Sequence, residues 1–430
     1  MDDLPWYKSR KYLHFDRPLG QKAAFDYVTS PSKVAQHSFY PFITFTSQVL
    51  KYRFDNDRGV FAKTPKARPI SYAAHLDSHI YAYYGSLLNE RYESELNKRG
   101  LHTSVLAFRS IDSKNNIHFA HDAFEEIRAR GECCVLAFDV EKFFDRLDHS
   151  ILKKAWVDLI GEERLPKDHF SVYKSLTKSA RVDKVSLYKK LEVSIHNPSV
   201  VDARLCSAKQ FREDVRGGGL LSSNPEKRGI PQGSPISALL SNIYMLEFDR
   251  ALLNFLLPTE SVFFRYCDDL LVICNLDQEL EVHDFVDQQI RGLQLSLQHT
   301  KTETSRFTLD SSGRLRADKP VHYLGFSFDG QNEHIRSSSI TRYYKKMRKK
   351  IWVTKKAMDR CNDLRAKRGE EPKDLFLRSI YRGYSCLGRR NFITYGFRAA
   401  KIMNSKSIRK QLRPHWKKMS KLISDAKSSA

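Results

Sequence analysis

Residues Arg265 to Cys274 read RYCDDLLVIC. A polar break, Tyr266 to Asp269, separates two apolar runs, Val262 to Phe264 and Leu270 to Cys274. Both runs have the length of a strand and are rich in β-branched and aromatic residues, which predicts a hairpin with a tight turn. Two adjacent carboxylates at such a turn repel each other unless something positive neutralises them. A hard divalent cation that takes oxygen ligands, such as Mg²⁺, is the usual neutraliser. For an isolated Asp-Asp pair a solvated loop is the plainer alternative, because Asp prefers the surface.

A matching carboxylate upstream weighs against that alternative. Residues Cys133 to Asp139 read CCVLAFD, an apolar strand that ends in a carboxylate, and VEKFFDRLDH follows. Two strands that each deliver an aspartate at one end can share a pair of metal ions. A site of that kind clamps the attacking and leaving oxygens of a phosphoryl transfer. Asp139, Asp268 and Asp269 therefore form one candidate constellation. Between them, GIPQGSPISALLSNIYM (Gly229 to Met245) opens with a Gly/Pro/Ser-rich turn and runs into an apolar helix, with N-cap candidates at Ser234 and Ser237.

DVEKFF, GIPQGSP and YCDD, in that order, resemble motifs A, B and C of reverse transcriptases. LQLSLQHTKT (Leu293 to Thr302) and YLGF (Tyr323 to Phe326) resemble motifs D and E. The likeness runs from about Lys63 to Phe328. It is similar to the bacterial, non-viral branch that holds group II intron, retron and defence-associated enzymes. SVLAFRS at Ser104 to Ser110 and GRRNFITYGFRAA at Gly388 to Ala400 resemble the stand-alone antiphage group.

The resemblance implies an α+β right-hand polymerase, with fingers and palm followed by an all-helical basic thumb. The expected division is an N-terminal extension over 1–60, fingers and palm over 61–335 and thumb over 336–430. Motif A lies at about 135–149, B at 229–245, C at 263–274, D at 293–302 and E at 323–326. The implied chemistry is RNA-directed DNA polymerisation with two Mg²⁺ ions, Mn²⁺ being able to substitute. Asp139 and Asp268 hold the ions with Asp269 in support, and the main-chain carbonyl of Val140 offers a further oxygen ligand.

Lys66 and Arg68, on an extended segment interrupted by Pro65 and Pro69, match the basic residues that hold the incoming triphosphate; Lys63 matches less well. Phe144 matches the steric gate that excludes a ribose 2′-OH, which implies deoxynucleotides, while Phe143 reads as core. Gln232 faces the nascent base pair, and Gly233 lets the backbone approach the substrate closely. Lys301 is a candidate general acid for the pyrophosphate leaving group, or a surface lysine that only screens charge. Arg109 reads either as a residue near the template or palm rim or as a plain surface arginine. The turn at Gly325 resembles a primer grip.

The charge is unevenly spread. The net charge is +23, yet residues 331–430 hold 28 Lys and Arg against 7 Asp and Glu, while the other 330 residues are nearly balanced. Such a one-sided excess costs self-repulsion unless a polyanion binds, so nucleic acid is the expected partner. Aromatics interleaved with these cations read mostly as bundle core. Ile340 to Met358, Leu375 to Leu387 and Asn391 to Met403 read as helices, as do His75 to Leu96 and Ala120 to Arg130. The stretch 151–227 reads as an extra palm element able to touch bound RNA.

The seven cysteines show no zinc spacing, which suits free thiols in a reducing compartment. The N-terminus lacks the apolar core of a signal peptide and no run is long enough to span a membrane, so a bacterial cytoplasmic protein is expected. The antiphage likeness implies an enzyme that binds a structured noncoding RNA and copies it from dNTPs into cDNA. Rival readings are a retron or group II intron enzyme, a template-independent and protein-primed polymerase of abortive-infection type, and a non-catalytic RNA-binding scaffold. The thumb stretch shows no VTG signature of retron enzymes, and the DNA-binding or endonuclease segment expected of a group II intron enzyme is not read in this sequence. All three aspartates are present, which weighs against the scaffold.

Overall fold

The computed structural model describes residues 4–55, 60–196, 198 and 203–428, the side chains of 49–66 and 299 excepted. Twelve strands are described. They are β1 (Phe42–Asp55), β2 (Val60–Tyr72), β3 (Cys133–Asp139), β4 (Ala180–Asp183), β5 (Leu221–Ser223), β6 (Val262–Tyr266), β7 (Asp269–Cys274), β8 (Glu303–Leu309), β9 (Leu315–Ala317), β10 (Val321–Tyr323), β11 (Phe326–Phe328) and β12 (Glu333–Ile335).

The central sheet has the order β6-β7-β3-β8-β9, and every neighbouring pair is antiparallel. Its middle strand is apolar on both faces, and the two-residue period sorts its side chains between two cores. Cys133 and Val135 pack with Ile117, Phe124 and Ile127 of the helix Asn116–Arg130. Cys134, Leu136 and Phe138 pack on the other side with Leu240, Val282 and Val286. Antiparallel pairing puts the last residue of β3 opposite the first of β7, so Asp139 stands beside Asp269.

The second sheet has the order β2-β1-β4-β5. Its long hairpin pairs Ile43 with Tyr72 through to Asp55 with Val60. The expected division at residue 60 therefore cuts a hairpin in two. Residues 4–41 also belong to this body: the Asp16 carboxylate accepts from the backbone N–H groups of His75 and Leu76, both at 2.9 Å, and so caps the helix His75–Lys98. Within 151–227, β4 runs parallel to β1 and β5 pairs with β4. That part of the stretch, read from the sequence as an extra palm element, extends the sheet of the basic hairpin.

The third sheet, β10-β11-β12, leads into the helices Ser337–Ala366, Arg378–Tyr384, Phe392–Ile402, Lys406–Leu412 and His415–Ser428. The helix expected over Leu375 to Leu387 is only seven residues long. Asn391 is a cap, its side chain accepting from Ile393 and Thr394. One apolar cluster runs from Phe124 and Phe307 through Phe326 to Ile393, Ala399 and Leu412, so these helices share a core with the central sheet. Tyr343 is buried there, but Trp352, Phe397 and Trp416 are exposed, so the aromatics are core only in part. No helix among the described residues is long and apolar enough to cross a membrane.

Candidate active site

A cleft of about 670 Å³ lies between the hairpin sheet and the central sheet. Asp139, Val140, Asp268 and Asp269 line it, together with Arg68, Phe144, Gln232 and Lys301. The metal and nucleotide candidates whose side chains are described thus share one cavity. Lys63 and Lys66 lie on β2, opposite Tyr52 and Val49, and their side chains fall outside the described residues.

The carboxylates are delivered by the β3–β7 register and by the turn between β6 and β7. Cys267 adopts a left-handed conformation there (φ 61°), and Val140 N–H donates to the Asp268 carbonyl at 3.2 Å. Behind the turn sits Arg265, fully buried. Its guanidinium meets both oxygens of Asp249 at 2.6 and 2.5 Å, Asn242 Oδ1 at 3.1 Å and the Cys267 carbonyl at 3.2 Å. Arg265 opens the stretch that organises the chain, yet nothing in its sequence context reveals this role. Burial pushes the Cys267 thiol well up, so a neutral, compact side chain fills the turn.

Lys301 Nζ donates to Asp139 Oδ1 at 2.6 Å. Asp269 is pushed up to about 6, by desolvation first and then by the charges of Asp268 and Asp139, against Lys301 and Arg336. Much of its surface opens to the cleft, but the crowding walls still strip water from the carboxylate. This excess negative charge suits a cation. Among the described residues no three His, Cys, Asp or Glu side chains converge as a ready-made metal cage. The donor set fits divalent ions by its chemistry, with the Lys301 ammonium occupying one oxygen of Asp139. The backbone bonds of the β3 extension run from Glu141 N–H to Ser296 and from Gln298 N–H to Asp139, on either side of Val140.

The turn at Gly229 to Gly233 packs tightly between the two halves of the cleft. A Cβ at Gly229 (φ 84°) meets the Asp145 carbonyl at 2.7 Å, and one at Gly233 (φ 113°) meets the Ser71 carbonyl at 2.5 Å. Ser71 N–H donates to the Gln232 carbonyl at 2.8 Å, and Ile230 N–H to the Phe144 carbonyl at 3.0 Å. Phe143 is buried, whereas Phe144 is half-buried, its ring 5.7 Å from that of Phe143. The following helix is Ser237–Tyr244 and neither serine caps it. Ser237 Oγ donates to the Pro231 carbonyl at 2.7 Å, and Ser234 Oγ is buried without a hydrogen-bond partner.

Arg109 is not the plain surface arginine that was one of its two readings. Its guanidinium is buried and bidentate on Glu93 at 2.9 and 2.6 Å. Its neighbour Phe108 lines the cleft instead, at φ 63°. A positive φ at a bulky residue is a genuine outlier, costing on the order of 1–2 kcal/mol. Lys142 (φ 47°) and Cys267 share the conformation and the cleft. Strained residues gather at functional sites, and backbone strain of this kind leaves no mark in the residue pattern.

A central sheet packed on both faces, with paired aspartates facing a basic hairpin and followed by a helical module, defines a right-hand polymerase. Residues 62–328, more than half of the chain, match the model of the reverse transcriptase (RNA-dependent DNA polymerase) family, and the chain belongs to that family. Among solved structures, apo telomerase from Candida tropicalis truncated from its C-terminal domain is similar at 13% identity and a TM-score of 0.41. That match covers 71% of this chain and 57% of the other. A second apo telomerase structure from the same species matches at 14% identity and TM-score 0.41, over 70% of this chain and 51% of that one. Telomerase from Candida albicans in complex with a TWJ fragment of telomeric RNA matches at 13% identity and TM-score 0.40, over 93% and 61%. The chain thus spans about half to three fifths of the telomerase chains it matches. No curated protein sequence matches it.

Proposed function

We propose that the chain is an RNA-directed DNA polymerase that binds a structured noncoding RNA and copies it into cDNA from dNTPs, as part of bacterial antiphage defence in the cytoplasm. The observation that carries the polymerase reading is the pairing of Asp139 with Asp269 across β3 and β7, beside Asp268 in the adjoining turn, in the cleft that also holds Arg68, Phe144 and Gln232. The antiphage assignment rests on the likeness of SVLAFRS and of the tail to that group.

Asp139 and Asp268, with Asp269 and the Val140 carbonyl, would hold two Mg²⁺ ions. When bound, such ions offset the charge between a primer 3′-oxygen and a triphosphate. Arg68 orients the triphosphate, and Lys66 is the second candidate for that role. Phe144 closes the space where a 2′-OH projects, and Gln232 meets the nascent base pair. Lys301 supplies a proton to the departing pyrophosphate oxygen. The basic helices track phosphates by charge, which makes the grip salt-dependent.

The test is to express the protein with its native flanking DNA, recover it, and sequence the bound RNA and DNA beside an Asp268→Ala/Asp269→Ala variant. DNA complementary to one discrete RNA, present only with the intact aspartates, is the expected result. Homopolymeric or unmatched DNA overturns templated synthesis in favour of the protein-primed reading. DNA recovered equally from the variant overturns the assignment of the carboxylates.

A further inference from the structure

The Phe108 ring packs into no core that would explain its conformation, yet the chain around it imposes one. The ring is 51% exposed and belongs to none of the four apolar clusters among the described residues. Its backbone is nonetheless left-handed. The bonds that impose this surround it. Arg265 N–H donates to the Ser104 carbonyl at 2.8 Å, and Leu106 N–H donates to the Arg265 carbonyl at 2.9 Å. Asn242 Nδ2 donates to the Ala107 carbonyl at 2.9 Å in the buried interior. On the other side Arg109 is clamped to Glu93 and donates to the His102 carbonyl at 2.9 Å and to the Val105 carbonyl.

The buried Arg265 and Asn242 that brace the aspartate turn thus also fix the chain beside Phe108. The effect is to project a flat, exposed apolar ring into the cleft that holds the carboxylates, beside Pro69, Val140 and Phe144. Tyr266, the residue before the turn, lines the same cleft. A nucleobase is the ligand whose apolar face such a ring takes, because every base presents a π-face whatever its sequence. Residues in sparsely populated backbone regions persist where the surroundings over-determine them, and their strain belongs to the function of the site.

We propose that Phe108 is a stacking platform for a nucleobase at the point of nucleotide addition, held in place by Arg265, Asn242 and Arg109. This rests on the polymerase reading above. The base belongs to the primed template or to the incoming dNTP, which share the chemistry.

The experiment uses the full chain with an RNA template annealed to a DNA primer, and Phe108→Gly, Phe108→Tyr and Phe108→Trp variants. Glycine accepts a positive φ freely, so Phe108→Gly keeps or raises the thermal midpoint while single-nucleotide kcat/KM falls roughly 5- to 150-fold. Phe108→Tyr restores most of the rate. A residue kept only for folding moves stability and activity in the same direction. The fluorescence of Phe108→Trp, compared with wild type, is quenched by the hybrid alone if the base is on the primed template, and by the dNTP if it is the incoming nucleotide. Wild-type kcat/KM in Phe108→Gly, or no quenching in any arm, overturns the proposal. A wild-type enzyme that adds no nucleotide while Phe108→Trp is quenched by the hybrid sinks the polymerase reading and leaves the contact standing.

Discussion

At the scale of single residues, the 2.6 Å contact between Lys301 and Asp139 joins two roles that a lysine can play in this cleft. The ammonium neutralises a carboxylate, and in the proposed reaction the same group would give its proton to a leaving phosphate. Replacement separates the roles. Lys301→Ala lowers the single-turnover rate about 10²- to 10⁴-fold if the proton is transferred in the transition state. Lys301→Arg keeps the charge but cannot release a proton at ordinary pH. Rapid-quench measurement on both variants decides the matter: a rate rescued by arginine assigns Lys301 to screening alone. The aspartates were legible because adjacent charges between apolar runs are conspicuous in sequence. Phe108 was not, because what marks it is a torsion angle.

Among the elements, the turn between β6 and β7 is held from behind by a buried ion pair. Arg265 is 1% exposed and Asp249 not at all. Burial raises the Asp249 carboxyl while the guanidinium pulls it back down. Removing one member of such a pair leaves an uncompensated charge, whereas replacing both with apolar groups of similar size is far cheaper. Asp249→Ala is expected to cost about 3–5 kcal/mol in urea denaturation, and Arg265→Met/Asp249→Leu markedly less. The double variant still loses nucleotide addition, because the Cys267 carbonyl and Asn242 lose their partner. Double-variant activity equal to wild type would deny the pair any part in positioning the turn. The strands themselves were readable from their apolar runs. The hairpin's pairing partner was not, because the parallel contact of β1 with β4 joins residues 42–44 to 181–183.

For the whole molecule, the N-terminal residues act as a strap over the helix His75–Lys98. Tyr7 stacks on His79 with ring centres 4.9 Å apart, and Tyr12 on His75 at 5.1 Å. Burial lowers His14 to about 3 and His79 to about 4. These rings stay neutral in the folded chain, while the unfolded chain binds protons once the pH drops below about 6.5. Stability from this cluster is therefore fully present above pH 6.5 and drains away as the pH falls towards 4. Urea midpoints at pH 7.5, 5.5 and 4.5 should decrease in that order, with a shallower decline in His14→Gln. A flat profile contradicts the neutral cluster.

What the chain determined by itself was local and repetitive: apolar strands, amphipathic helices, two strands that each carry aspartate at one end, and a basic C-terminal hundred residues. These follow from composition and from periods of two and 3.6 residues, which short-range sterics and burial read directly. Only the tertiary structure decided that Lys301 lies against Asp139, that Arg265 and Asn242 brace the aspartate turn, and that Phe108 faces the cleft. Each joins residues far apart in the chain, or rests on a backbone angle forced by such contacts, and neither leaves a pattern along the sequence.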